Sequence, residues 1–100
     1  MPKILVIRFS SMGDVLLTTP VVRALKEQVP GAEIHFLVKH KHMGVLKGNP
    51  HIHKIYTFKS DLRALTKKLY QERYDYIIDL QRNLRTAYVK MRLKRKTFTY

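Results

Sequence analysis

The chain contains no cysteine, which excludes disulfides, thiolate chemistry and cysteine-ligated zinc. No apolar run approaches the roughly 18 residues that a bilayer-spanning helix needs. The N-terminus also lacks the charged, then apolar, then small-residue layout of a secretory signal. A cytoplasmic location is the expectation from these absences. Acidic residues are scarce: 7 Asp and Glu stand against 20 Lys and Arg, a formal net charge of +13. That imbalance points to an anionic partner, and charge alone leaves open whether it is nucleic acid, a phosphorylated sugar or a lipid headgroup surface. Glycine is sparse as well. The turn Ser10-Ser11-Met12-Gly13-Asp14 holds a single glycine where a dinucleotide fingerprint needs three at fixed spacing, which argues against a nicotinamide or flavin site. It also lacks the Gly-Lys-Ser/Thr ending of a P-loop, which excludes triphosphate binding by that device.

What is present suffices for one globular domain of 100 residues, 45% of them apolar. Ile4 to Ile7 form a continuous apolar run, the mark of a strand buried on both faces and therefore central in a parallel sheet. Val15, Thr19, Val22, Leu25 and Val29 recur at helical spacing, so Gly13 to Val29 reads as one helix, kinked near Thr19 by Pro20. Pro30-Gly31 stops it, and Ile34 to Val38 makes a second strand, completing a βαβ unit. A basic connection from Lys39 to Gly48 follows, with a short helix over His42 to Leu46. Ile52 to Phe58 alternates apolar and polar residues, as a strand nearer the edge would. Ser60 and Asp61 offer caps to a helix whose buried stripe is Leu62, Leu65, Leu69 and Tyr70. Tyr76 to Asp79 is a short buried strand, Asn83 to Leu93 a last helix, and Thr97 to Tyr100 the start of a further strand. The expected fold is α/β: a Rossmann-like parallel sheet of about four or five strands with helices on both faces.

Ser10, Ser11, Gly13 and Asp14 stand at the carboxyl end of the first strand, where open α/β sheets bind ligands. Asp14 either caps its helix, the reading that the spacing alone favours, or stays ionised and takes a proton from a hydroxyl. Asp79 ends a strand at the same edge, so two carboxylates are expected to face one crevice. His40 and His42, like His51 and His53, have a spacing compatible with metal binding. No carboxylate or thiol accompanies them, and they read as surface loop residues. Tyr70, Tyr74, Tyr76, Tyr88 and Tyr100 sit in core-like or helical patterns rather than a nucleic-acid motif, so no nucleic-acid partner is expected.

The segments Ile4 to Pro20, Ala32 to Val38, Gly48-Asn49-Pro50 and Tyr74 to Thr86 together resemble the N-terminal domain of the lipopolysaccharide heptosyltransferases, the ADP-heptose-using glycosyltransferase family 9. Arg8-Phe-Ser-Ser-Met-Gly-Asp14 is the most specific part. The resemblance implies the N-terminal, acceptor-side half of a GT-B glycosyltransferase over residues 1–100, with the C-terminal nucleotide-sugar domain outside this chain. It further implies inverting transfer of heptose from ADP-heptose to the lipopolysaccharide inner core, with Asp14 as general base. Ser10, Ser11, Gly13, Asn83, Arg85 and Thr86 are then substrate-binding residues. An isolated piece of 100 residues would be inactive. No metal or cofactor is implied, because helix dipoles and basic residues offset the leaving diphosphate in GT-B enzymes. Where the family often reads Asp-Leu-His-Gly-Asn-Leu-Arg, this chain has Asp79-Leu-Gln-Arg-Asn-Leu-Arg85, leaving Gln81 and Arg82 without an assigned role.

Charge agrees with that resemblance. Seven Lys or Arg lie between Arg82 and Lys96, with no carboxylate after Asp79, and Lys39, Lys41 and Lys47 add a second basic stretch. Guanidinium forks suit a phosphorylated glycolipid acceptor. Peripheral contact with the anionic inner membrane would accompany such an acceptor. The competing expectation is a non-catalytic basic module that binds nucleic acid or phosphorylated ligands.

Overall fold

Four consecutive apolar residues cannot all point to one face of a sheet, because successive side chains alternate. The structure is a computed structural model that describes residues 2–9, 12–59, 62–81, 84–93 and 96–99, with the backbone alone at 12, 84, 85, 92 and 96–99. In it Ile4 to Ile7 lie in β1 (Lys3–Ile7), with Ile4 and Val6 buried on one face and Leu5 and Ile7 on the other. Both faces must then be covered. Val15 of α1 (Met12–Leu17) and Val22 of α2 (Thr19–Gln28) close the first face. Leu69 of α3 (Leu62–Glu72) and Val89 and Leu93 of α4 (Leu84–Leu93) close the second. Each such side chain, once buried, contributes about 1.5–3 kcal/mol.

The remaining strands are β2 (Glu33–Lys39), β3 (Lys54–Phe58), β4 (Tyr76–Asp79) and β5 (Lys96–Thr99). All pairings are parallel, in the order β3-β2-β1-β4-β5. The expected architecture is met: β1 is central, β3 is an edge strand, and helices cover both faces. A 3₁₀ segment, His40–Val45, occupies the connection in which a short helix was expected.

The helix after β1 differs from expectation. Instead of one kinked helix there are two, α1 and α2, separated at Thr18. Pro20 has no N–H to give to the Leu16 carbonyl four residues back. The Thr19 hydroxyl donates to that carbonyl instead, at 2.8 Å, and Thr18 Oγ1 donates to the Val15 carbonyl at 2.5 Å. Two threonines before the proline thus take over the carbonyls of the ending helix, and the chain restarts at Thr19. A second correction concerns Tyr70, which is 59% exposed. The inward stripe of α3 is Leu62, Leu65, Thr66 and Leu69, and Tyr70 lies at its margin. The Ser60–Asp61 cap lies outside the described residues.

Candidate active site

Strand order reverses direction between β1 and β4: the chain fills β2 and β3 on one side, then returns to place β4 and β5 on the other. Ligands of open α/β sheets bind in the crevice outside the carboxyl ends at such a switch point. Here the crevice is bounded by the segment after Ile7 and the segment after Asp79, which are partners across the two strands.

The two segments are tied together. Leu80 N–H donates to the Ile7 carbonyl at 2.9 Å. Phe9 N–H donates to Gln81 Oε1 at 3.1 Å. Arg8, the first residue beyond β1, sends Nη1 to the Leu80 carbonyl and Nη2 to Asp14 Oδ2, the latter at 3.1 Å. Asp14 itself stands in the first turn of α1 with its side chain about half exposed, at 49%. Because α1 begins at Met12, Asp14 is inside the helix rather than at its cap position. Beside it, Gly13 is exposed at the same helical start.

Asp79 does not share that crevice, contrary to expectation. Its side chain is fully buried, its Oδ1 accepts the Gln81 N–H at 2.9 Å, and Lys90 Nζ of α4 stands 2.9 Å from Oδ2. A charge sealed from water needs such a partner. Lys90, one of the seven basic residues between Arg82 and Lys96, is therefore turned inward onto Asp79. Thr86, in the first turn of α4, is completely buried rather than open to a ligand. Arg85 belongs to the same turn by its backbone, while Ser10, Ser11 and Asn83 lie outside the described residues.

Arg8 and Gln81 are the functional candidates that sequence reading left without a role. The available signal was position: Arg8 is the first residue beyond β1 and Gln81 the second beyond β4, the two strands that border the crevice.

A second polar cluster lies at the opposite, amino edge of the sheet. His35 of β2 is 1% exposed, with Nε2 2.6 Å from Glu33 Oε2 and Nδ1 2.8 Å from the Tyr74 hydroxyl. A carboxylate accepts only, so Nε2 carries the proton and Nδ1 accepts from Tyr74. Burial lowers the His35 pKa, partly opposed by its bond to Glu33, and burial raises that of Tyr74. The His35 hydrogen bond in turn lowers the Glu33 pKa. Glu72, at the end of α3, receives Lys3 Nζ at 2.8 Å, Lys54 Nζ at 3.0 Å and the Tyr56 hydroxyl. Its pKa falls to about 2, chiefly through the Lys3 and Tyr56 hydrogen bonds. Glu33, His35 and Glu72 bring ligand-type atoms within 4.8 Å of one another. Lys3 and Lys54 already supply the cations there, so the cluster is a balanced polar network. The loop histidines diverge from expectation at His42, which is buried, whereas His53 Nδ1 accepts the Ile34 N–H at 3.1 Å.

A fully parallel sheet with helices on both faces and a single switch point between β1 and β4 defines a Rossmann-like domain. No protein-family model matches the chain. It is 30% identical to lipopolysaccharide heptosyltransferase 1 of Campylobacter coli, across 98% of this chain and 30% of that protein. Its fold matches a family 9 glycosyl transferase from Veillonella parvula with a TM-score of 0.90 at 23% identity, covering 99% of this chain and 32% of that one. It also matches the Escherichia coli ADP-heptose lipopolysaccharide heptosyltransferase II with a TM-score of 0.85 at 24% identity, covering 97% and 30%. The chain is thus similar to lipopolysaccharide heptosyltransferases along nearly its whole length, and it spans just under a third of the length of that Campylobacter relative.

Proposed function

We propose that this chain is the acceptor-side domain of an inverting heptosyltransferase of the two-domain GT-B kind, in which a second Rossmann-like domain carries the ADP-heptose. The observation that carries this reading is Asp14: an exposed carboxylate at the switch-point crevice, held by Arg8. In the reaction, an acceptor hydroxyl gives its proton to the Asp14 carboxylate as its oxygen bonds to the anomeric carbon. The bond from that carbon to the diphosphate breaks on the opposite face, and the nucleoside diphosphate leaves with the electron pair. Lys39 ends β2 at this same edge and exposed Lys41 follows in the 3₁₀ segment, so cations flank the approach of an acidic acceptor. Ser10, Ser11, Gly13, Asn83 and Arg85 remain proposed acceptor contacts. Buried Thr86 serves the packing of α4. No metal is assigned a role in this scheme, and the whole enzyme is proposed to work at the cytoplasmic face of the inner membrane.

Asp14→Asn in the full-length protein tests the reading. It preserves size while removing basicity, so turnover should fall by about a hundred-fold or more with little change in thermal midpoint. Full turnover in a folded Asp14→Asn enzyme would refute the assignment.

A further inference from the structure

We propose that Arg8 is a positioning residue, with Gln81 as its support, and that together they brace Asp14 across the switch point; this rests on the reading of Asp14 as base. The guanidinium is a planar fork, so holding one arm fixes the direction of the other. One arm is fixed on the Leu80 carbonyl beyond β4, and the other meets Asp14 Oδ2 at 3.1 Å. The carboxylate of a six-residue helix is thereby tied to the sheet.

Gln81 fixes the point on which Arg8 leans. Its side-chain oxygen takes the Phe9 N–H at 3.1 Å, while its backbone N–H is held by buried Asp79 at 2.9 Å. Leu80 lies between these anchors, with its N–H bonded to the Ile7 carbonyl at 2.9 Å. Its carbonyl is therefore presented to Arg8 in one orientation. The chain of contacts runs from Lys90 through Asp79, Gln81 and Leu80 to Arg8 and Asp14, crossing from α4 to α1 at the crevice. Lysine at position 8 would bring charge without the fork and could serve one end of the brace at a time. Because a base must meet its hydroxyl in a narrow range of geometry, loss of the brace should appear in kcat rather than in donor binding.

The test is a double-mutant cycle in the full-length enzyme, with ADP-heptose and acceptor as substrates. Arg8→Met should lower kcat by about tenfold or more, leave the donor KM within about twofold and barely shift the thermal midpoint. Arg8→Lys should recover part of the loss. In an Asp14→Asn background, Arg8→Met should cost less than about twofold further, because the residue it acts through is already disabled. Losses that multiply independently, or an Arg8→Met enzyme with unchanged kcat, would overturn the brace while leaving the base intact. An active Asp14→Asn enzyme would instead remove the base, and the brace with it. If Arg8→Met is destabilised, Gln81→Met provides the same cycle and should show the same loss of additivity.

Discussion

The His35 ring and the Tyr74 ring meet edge to face at the amino end of the sheet, centroids 5.3 Å apart, with the tyrosine hydroxyl bonded to Nδ1. This contact joins the middle of β2 to the loop that leads into β4. It requires a neutral imidazole, and burial lowers the His35 pKa below its ordinary value of 6.5.

The pH dependence follows from that direction. A histidine whose folded pKa is depressed stabilises the fold fully above its unfolded pKa. That stability is lost as pH falls, because the unfolded chain takes up a proton that the folded one refuses. Urea unfolding should show stability declining from pH 7 towards 5, by at most about 1.4 kcal/mol per unit for this group. His35→Gln should flatten the decline. The Glu72 contribution falls away lower, between its ordinary 4.5 and about 2, and does not overlap. Identical slopes in the two proteins would refute the assignment.

Lys90 and Asp79 make an asymmetric pair: the carboxylate is sealed from water while the lysine side chain keeps 24% of its exposure. Lys90→Met removes the ammonium from a buried carboxylate and should cost about 3 kcal/mol. Asp79→Asn, which removes the charge and returns Lys90 to solvent, should cost less. Chemical denaturation of both variants ranks them, and the reverse order would contradict the burial.

Arg73 follows α3 with φ of 57°, in the left-handed region that glycine occupies without strain. Arg73→Gly should raise stability by about 0.5–1 kcal/mol, since the relief of strain outweighs the added freedom of the unfolded chain. A fall in the thermal midpoint would show that the Arg73 side chain contributes more than its backbone costs.

Membrane contact by this domain should be electrostatic. No helix among the described residues is long and apolar enough to cross a membrane, whereas the charge is +13. Sedimentation with vesicles should show binding that rises with anionic lipid and fades with salt, each cation near the surface contributing about 1 kcal/mol. Salt-insensitive binding to neutral vesicles would rule this out.

The central strand was legible because Ile4 to Ile7 leave no face polar, and the edge strand because Ile52 to Phe58 alternates. Packing periodicity carries such information along the chain. The break at Thr18 was not legible, since it depends on two hydroxyls reaching specific carbonyls beside Pro20. Asp14 could be singled out because its turn has a distinctive composition. The sealing of Asp79 by Lys90 joins two elements through side-chain direction, which strand position does not reveal. Arg8 escaped for the same reason, its partners lying 72 residues on at Leu80 and within the next helix at Asp14. His35 was hidden inside an apolar strand, although Glu33 and His35 share a face by period-two spacing.

The placement of β1 between β2 and β4 also sets the order of events at synthesis. β1 is made before either of its neighbours, and one of them is encoded 72 residues later. Until that segment emerges, the nascent domain carries an open strand edge along its most apolar element. The switch-point crevice, which needs the segments after both strands, is among the last features to form. The same long-range closure that creates the site leaves the unfinished chain exposed to wrong partners, and the time required to translate the segment between β2 and β4 sets the length of that exposure.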